Sequence, residues 1–144
     1  HGITIQKNAT AKITGCIVRN SKEMGIHFGL AASGSEIRDA TVEKSDVYGI
    51  LLAGSAGSSL LVTGNKVSNN ALTGILATGG GFRPTIEKNE CARNGEFGIG
   101  IAEGASGIVR DNTLRANNLG GIGQQNAAKD LRIENNIVTD DGGK

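Results

Sequence analysis

The chain has no tryptophan, one proline, two cysteines and four aromatic rings (three Phe and one Tyr) among its 144 residues. So few rings exclude an ordinary globular core, in which large aromatic side chains carry much of the buried area. Two cysteines are too few for a disulfide framework. A single proline and a hydrophobic share of 38% exclude a flexible linker or a disordered tail. No run of eighteen apolar residues occurs, so no membrane-spanning helix is expected. Neither sign of charge is in excess: fifteen basic residues face fourteen acidic ones, for a net charge of +1. That balance argues against a nucleic-acid partner, which would call for a clustered basic surface. The first residue is His1, and no charged segment followed by an apolar one marks a signal peptide. The chain therefore reads as processed or cut from something longer. What it has in abundance is 23 glycines and 13 asparagines.

Those residues recur at intervals. The dipeptide Gly-Ile stands at Gly2-Ile3, Gly25-Ile26, Gly49-Ile50, Gly74-Ile75, Gly98-Ile99 and Gly121-Ile122, with spacings of 23, 24, 25, 24 and 23. A second apolar column runs Ile13, Ile37, Val62, Ile86, Val109, Ile133, and a third follows five residues later at Val18, Val42, Val67, Cys91, Leu114, Val138. From each second-column residue to the next Gly-Ile isoleucine is always 13 residues, while the remaining segment varies from 10 to 12. All the length variation thus falls in one loop, and such a fixed period is the mark of a solenoid. Short alternations such as Ile26-His27-Phe28 and Ile50-Leu51-Leu52 have the period of a strand, and no stretch carries a sustained helical stripe.

Three other solenoids fit less well. A leucine-rich repeat needs an apolar residue five positions before the second column, where Asn8, Ala32, Gly57, Gly81, Gly104 and Asn126 stand. A hexapeptide β-helix needs a six-residue subperiod, and the calcium-binding nonapeptide Gly-Gly-x-Gly-x-Asp is missing. The unit, apolar-x-x-Asn-x-apolar-x-x-(Asn/Ser)-x-x-x-Gly-Ile-x-apolar, resembles the parallel β-helix repeat of the pectate-lyase-like superfamily. The resemblance implies an all-β, right-handed, single-stranded parallel β-helix of about six coils of 23–25 residues, without long helices. Residues 1–144 are expected to form one domain, a segment of a longer solenoid lacking one or both caps.

Stacking successive coils at the usual strand spacing of about 4.8 Å turns each apolar column into an interior row of aliphatic side chains, for which aromatics are unnecessary. Asn65, Asn89, Asn112 and Asn136 then share one corner, where a stacked amide donates to one neighbour and accepts from the other. Cys16 and Ala40 interrupt that ladder in the first two coils. A second corner column runs Ser21, Ser45, Asn70, Asn94, Asn117, Asp141. Cys16 and Cys91 fall three coils apart, roughly 14 Å on that spacing and beyond the reach of a disulfide. No cofactor or metal site is evident.

Chemistry must then come from outward-facing columns. One column reads Thr14, Arg38, Thr63, Glu87, Arg110, Glu134 and is expected to form a cross-coil ladder of ion pairs, with Lys88 beside Asp111 in the next. On the third strand Glu43, Lys66, Glu90 and Arg115 are placed on one sheet surface and are the candidate catalytic residues. Enzymes of the resembled superfamily bind acidic polysaccharides along such a sheet and use carboxylates, Lys or Arg. Glu43 and Glu90, two coils apart, suit the carboxylate separation of about 6.5–9.5 Å of an inverting hydrolase. The strip Thr4, His27, Leu51, Leu76, Gly100, Gly123 forms a flat, partly apolar face, and Phe82 is expected to anchor the loop that carries Arg83. Asp140-Asp141 lacks the context of the pectin-hydrolase motif.

The functional expectation is a carbohydrate-associated module, extracellular or in the cell envelope, with polysaccharide as the partner. The alternatives are a fragment of a polysaccharide lyase, C5-epimerase or glycoside hydrolase, and a structural rod or protein-interaction β-helix. End-to-end or sheet-face stacking with other chains is expected from any open parallel edge.

Overall fold

Three strands recur in every repeat of the structure, a computed structural model that describes residues 1–30 and 33–139. The first coil carries β1 (Ile3–Ile5), β2 (Lys12–Thr14) and β3 (Ile17–Arg19), and the second β4 (Ile26–Gly29), β5 (Ser35–Arg38) and β6 (Thr41–Glu43). The third has β7 (Ile50–Ala53), β8 (Leu60–Thr63) and β9 (Lys66–Ser68), and the fourth β10 (Ile75–Thr78), β11 (Thr85–Glu87) and β12 (Glu90–Ala92). The fifth has β13 (Phe97–Ala102), β14 (Ile108–Arg110) and β15 (Thr113–Arg115), and the sixth β16 (Gly120–Gln125), β17 (Arg132–Glu134) and β18 (Ile137–Thr139). Equivalent strands pair in parallel into three six-stranded sheets, so the chain is a parallel β-helix of six coils. No helix occurs among the described residues.

The register is the one the repeat demands. Ile26 pairs with Ile3 and Ile50, Ile37 with Ile13 and Val62, and Val67 with Val42 and Cys91. The inner residues of these columns, from Ile26 to Ile99, Ile37 to Val109 and Val42 to Leu114, are at most 1% exposed. A fourth column, Ile5–Phe28–Leu52–Ala77–Ile101, completes the interior and ends in register with exposed Gln124.

Rings do contribute to this interior, contrary to the expectation that aliphatic layers suffice. Phe28 and Phe82 are fully buried. Phe82 folds in from the variable loop over Gly54, where an added Cβ would lie 2.1 Å from its ring. It is the loop anchor that the sequence suggests.

Two tight corners in each coil explain the asparagines. Gly15, Asp39, Gly64, Lys88, Asp111 and Asn135 all have positive φ, and each immediately precedes a position of the first corner column. Lys88 and Asp111 are therefore corner residues, not members of a sheet face. Past that bend Asn65 Nδ2 donates to Asn89 Oδ1 (2.9 Å), Asn89 Nδ2 to Asn112 Oδ1 (3.0 Å) and Asn112 Nδ2 to Asn136 Oδ1 (2.9 Å). The second hydrogen of each amide goes to a backbone carbonyl, of Ile37, Val62 and Ile86 respectively. The run closes on the Ala40 amide, which donates to Asn65 Oδ1. Asn70, Asn94 and Asn117 make the matching ladder at the second corner, which closes on Ser45 N. Asp141, Ala32 and the Asp140-Asp141 pair lie outside the described residues.

The glycine of the first five Gly-Ile pairs is required by space. A Cβ on Gly49 would lie 2.7 Å from Asn70 Nδ2, from Val67 Cγ1 and from the Gly74 carbonyl oxygen. Cys16 and Cys91 are both free thiols, the first half-buried and the second fully buried.

A trough on the first sheet as the candidate functional site

The first sheet stacks β1, β4, β7, β10, β13 and β16. Because strand side chains alternate between faces, every second residue points outward. The register lines up Thr4, His27, Leu51, Leu76, Gly100 and Gly123 in one outward row, the strip expected from the sequence. Two consecutive glycines end that row, and they leave a hollow beyond Leu76. A Cβ on Gly100 would approach Leu76 Cδ1 to 3.2 Å, and one on Gly123 would reach 2.6 Å from the Phe97 ring. The ring thus lies directly on Gly123.

The result is a trough of about 350 Å³, walled by Tyr48, Thr73 and Phe97 on one side and by Thr78, Ala102 and Gln125 on the other. Tyr48, Thr73 and Phe97 are the residues just before Gly49, Gly74 and Gly98, so they share one repeat position in three successive coils. Each holds the coil before it through its carbonyl: Gly25 N donates to Tyr48 O, Gly49 N to Thr73 O and Gly74 N to Phe97 O. Two rings two coils apart therefore stand on the same wall, roughly 10 Å from each other on strand spacing. Glu96 adds a carboxylate whose Oε2 accepts a hydrogen bond from Thr73 Oγ1 (3.2 Å), and Glu103 and Gln124 complete the polar lining. An apolar floor with rings at one side and a few convergent acceptors and amides is the usual make-up of a small-molecule site.

Sequence reasoning found the floor of this trough and missed its wall. Tyr48, Thr73 and Glu96 precede their strands and Phe97 opens β13, outside the alternation that marks the floor. The available signal was the common position of Tyr48, Thr73 and Phe97 directly before Gly-Ile, which Glu96 does not share.

Glu43, Lys66, Glu90 and Arg115 all point outward from the third sheet, but in two columns. Lys66 and Glu90 are direct neighbours in register, whereas Glu43 lines up with Arg19 and Ser68, and Arg115 with Ala92. Lys66, Glu90 and Arg115, joined by Arg93, line a shallow pocket of about 110 Å³. Glu43 stays out of it and pairs instead with Arg19 (3.2 Å) in the coil before.

The ion-pair column of the second sheet forms only in part. Arg110 bridges to Glu87 across coils (2.9 Å), but Glu134 turns to Arg132 on its own strand (2.6 Å), and Arg38 likewise to Glu36 (2.8 Å). A partner two residues along the same strand lies on the same face and competes with the one in the next coil. The hydrogen bond from Arg38, followed by its charge, holds the Glu36 carboxyl below the usual carboxylate range.

Arg83 pairs with Asp130 (3.1 Å), which also accepts a hydrogen bond from Ser106 Oγ (2.7 Å). That bond and the Arg83 charge lower the Asp130 pKa. His27 is half-buried against His1, with ring centroids 5.0 Å apart. Among the described residues no three His, Cys, Asp or Glu side chains converge as metal ligands, and no helix is long and apolar enough to cross a membrane.

The sequence profile of the family described as right handed beta helix region matches residues 28–144. The chain belongs to that family. A search of curated proteins and one of solved structures each gave no match. Family membership gives the coil its right-handed sense and agrees with the pectate-lyase-like pattern of the repeat. In this right-handed β-helix the trough spans the third to the sixth coil, and the basic pocket lies on a different sheet.

Proposed function

We propose that the chain is a carbohydrate-binding β-helix module that lays a saccharide along the first sheet. The observation that carries this reading is the trough itself, in which Tyr48 and Phe97 flank a glycine floor while Glu96, Gln124 and Gln125 supply hydrogen-bonding groups. Pyranose rings present an apolar face of C–H groups and an equatorial belt of hydroxyls. An aromatic wall suits the first, and carboxylates and amides, which offer several acceptor and donor positions, suit the second.

Titration calorimetry or affinity electrophoresis against a panel of oligosaccharides is the test. Binding is expected for the unaltered chain, and Phe97→Ala should weaken it about tenfold, or about 1.4 kcal/mol. Silence across the panel would remove the reading.

A second reading, an enzyme fragment acting on acidic polysaccharide, is favoured by the Lys66, Glu90 and Arg115 pocket, where cations stand beside a carboxylate. Incubation with uronic-acid polysaccharides, followed by ultraviolet absorbance of the unsaturated product, tests elimination. Activity lost on Lys66→Ala and retained in Phe97→Ala would support this reading.

A further inference from the structure

We infer that the trough on the first sheet selects uncharged sugar chains and rejects uronic-acid chains. This deepens the carbohydrate-binding reading and rests on it. The charged groups that line the trough are Glu96 and Glu103, and no Lys, Arg or His stands among its lining residues. The remaining polar groups, Tyr48, Thr73, Thr78, Gln124 and Gln125, are neutral hydroxyls and amides.

A uronate bound along this floor would bring its carboxylates beside those of Glu96 and Glu103, with no cation among the lining residues to meet them. Like charges that close repel, more so as the ligand displaces water from the trough. Hydroxyl groups meet the opposite situation. Glu96 is held in place by the Thr73 hydrogen bond at Oε2, which leaves Oε1 to accept from a sugar hydroxyl. Hydrogen bonds to an ionised acceptor are the strong ones. Glu103 sits at a left-handed position of the loop after β13 (φ 52°) and is exposed at the trough's edge. The positive counterpart on this molecule is the third-sheet pocket, lined by Lys66, Arg93 and Arg115 together with Glu90. The two faces thus divide the two classes of polysaccharide by charge.

The test compares oligosaccharides of equal length, neutral (glucan, xylan, mannan and galactan) and acidic (polygalacturonate and alginate), by calorimetry at low salt. The unaltered chain, Phe97→Ala and Glu103→Lys are each checked for an unchanged circular-dichroism spectrum. In the trough, read as the binding that Phe97→Ala weakens about tenfold, a neutral oligomer is expected to bind at least tenfold more tightly than any acidic one. Glu103→Lys should narrow the discrimination; lysine is tolerated at left-handed φ in this chain, as at Lys44 and Lys88. Raising the salt should narrow it as well, since screening weakens the repulsion. An acidic oligomer that binds as tightly as its neutral counterpart, and is lost in Phe97→Ala, overturns the inference and leaves carbohydrate binding in the trough standing. No binding by either class removes the carbohydrate reading itself.

Discussion

Cys91 occupies the third interior column between Val67 and Leu114 and is completely buried. Burial, followed by the neighbouring Glu90 charge, pushes its thiol pKa far up. In the unfolded chain the thiol ionises near its ordinary value of about 8.5. A group whose folded pKa is raised contributes stability that is complete below the unfolded value and drains away as pH rises toward the folded one. The folded chain therefore loses stability above about pH 8.5 on account of this residue, with a slope approaching about 1.4 kcal/mol per pH unit. Cys91→Val restores the side chain that the column carries at Val42 and Val67 and removes the thiol. Urea midpoints measured from pH 7.5 to 10 should fall more steeply for the unaltered chain than for Cys91→Val; parallel curves would show that the buried thiol has no such role. A thiol reagent should meet the same difference and label half-buried Cys16 well before Cys91.

The corner ladders fasten coil to coil alongside the backbone hydrogen bonds of the three sheets. Asn89 accepts at Oδ1 from both the Asn65 backbone N–H and Asn65 Nδ2, and donates to Asn112 Oδ1 and the Val62 carbonyl. Asn89→Leu would leave the buried Asn65 N–H and one hydrogen of Asn65 Nδ2 without an acceptor, and would take one donor each from Asn112 Oδ1 and the Val62 carbonyl. The cost should be about 3 kcal/mol, since each orphaned group loses about 1–3 kcal/mol. Asn136 accepts from the Asn112 N–H and Nδ2 and donates to the Val109 carbonyl, and is only half-buried. Water can replace part of what Asn136→Leu removes, so its cost should be about half. Urea unfolding of the two variants compares them directly, and equal losses would mean that burial does not set the strength of the ladder. The ladders were legible in the sequence because backbone stacking repeats with the chain: a residue at a fixed place in the repeat has a fixed place in space. Contacts set by side-chain reach were not. Phe82 is buried because Gly54 leaves room beneath it, Phe97 turns over Gly123, and Glu43 chooses Arg19 while Glu134 chooses Arg132. Each depends on which neighbour is small or nearer, and no period records that. The strip of the first sheet was visible for the same reason as the ladders, and the aromatic wall above it was hidden for the same reason as Phe82.

At the scale of the molecule, each coil touches only the coils beside it, so stability is a sum along one axis and not a single cooperative core. Ile50, Ile75 and Ile99 are fully buried between neighbours, whereas Ile133 and Val138 of the sixth coil are 40% and 49% exposed. Hydrogen exchange should follow that gradient, slowest in β7 to β15 and fastest in β17 and β18. Equal protection in all six coils would show that this chain opens as one unit. The gradient bears on the trough, because its far end, Gly123 to Gln125, belongs to the sixth coil, while Tyr48 belongs to the turn into the third. A sugar that bridges these coils binds only the state in which they are stacked and so stabilises their stacking. Saturation with a bound oligosaccharide should therefore slow exchange in β16 more than in β4, which lies outside the trough. A ligand seated on the third-sheet pocket would instead slow β9, β12 and β15, so the exchange pattern tells which face is occupied.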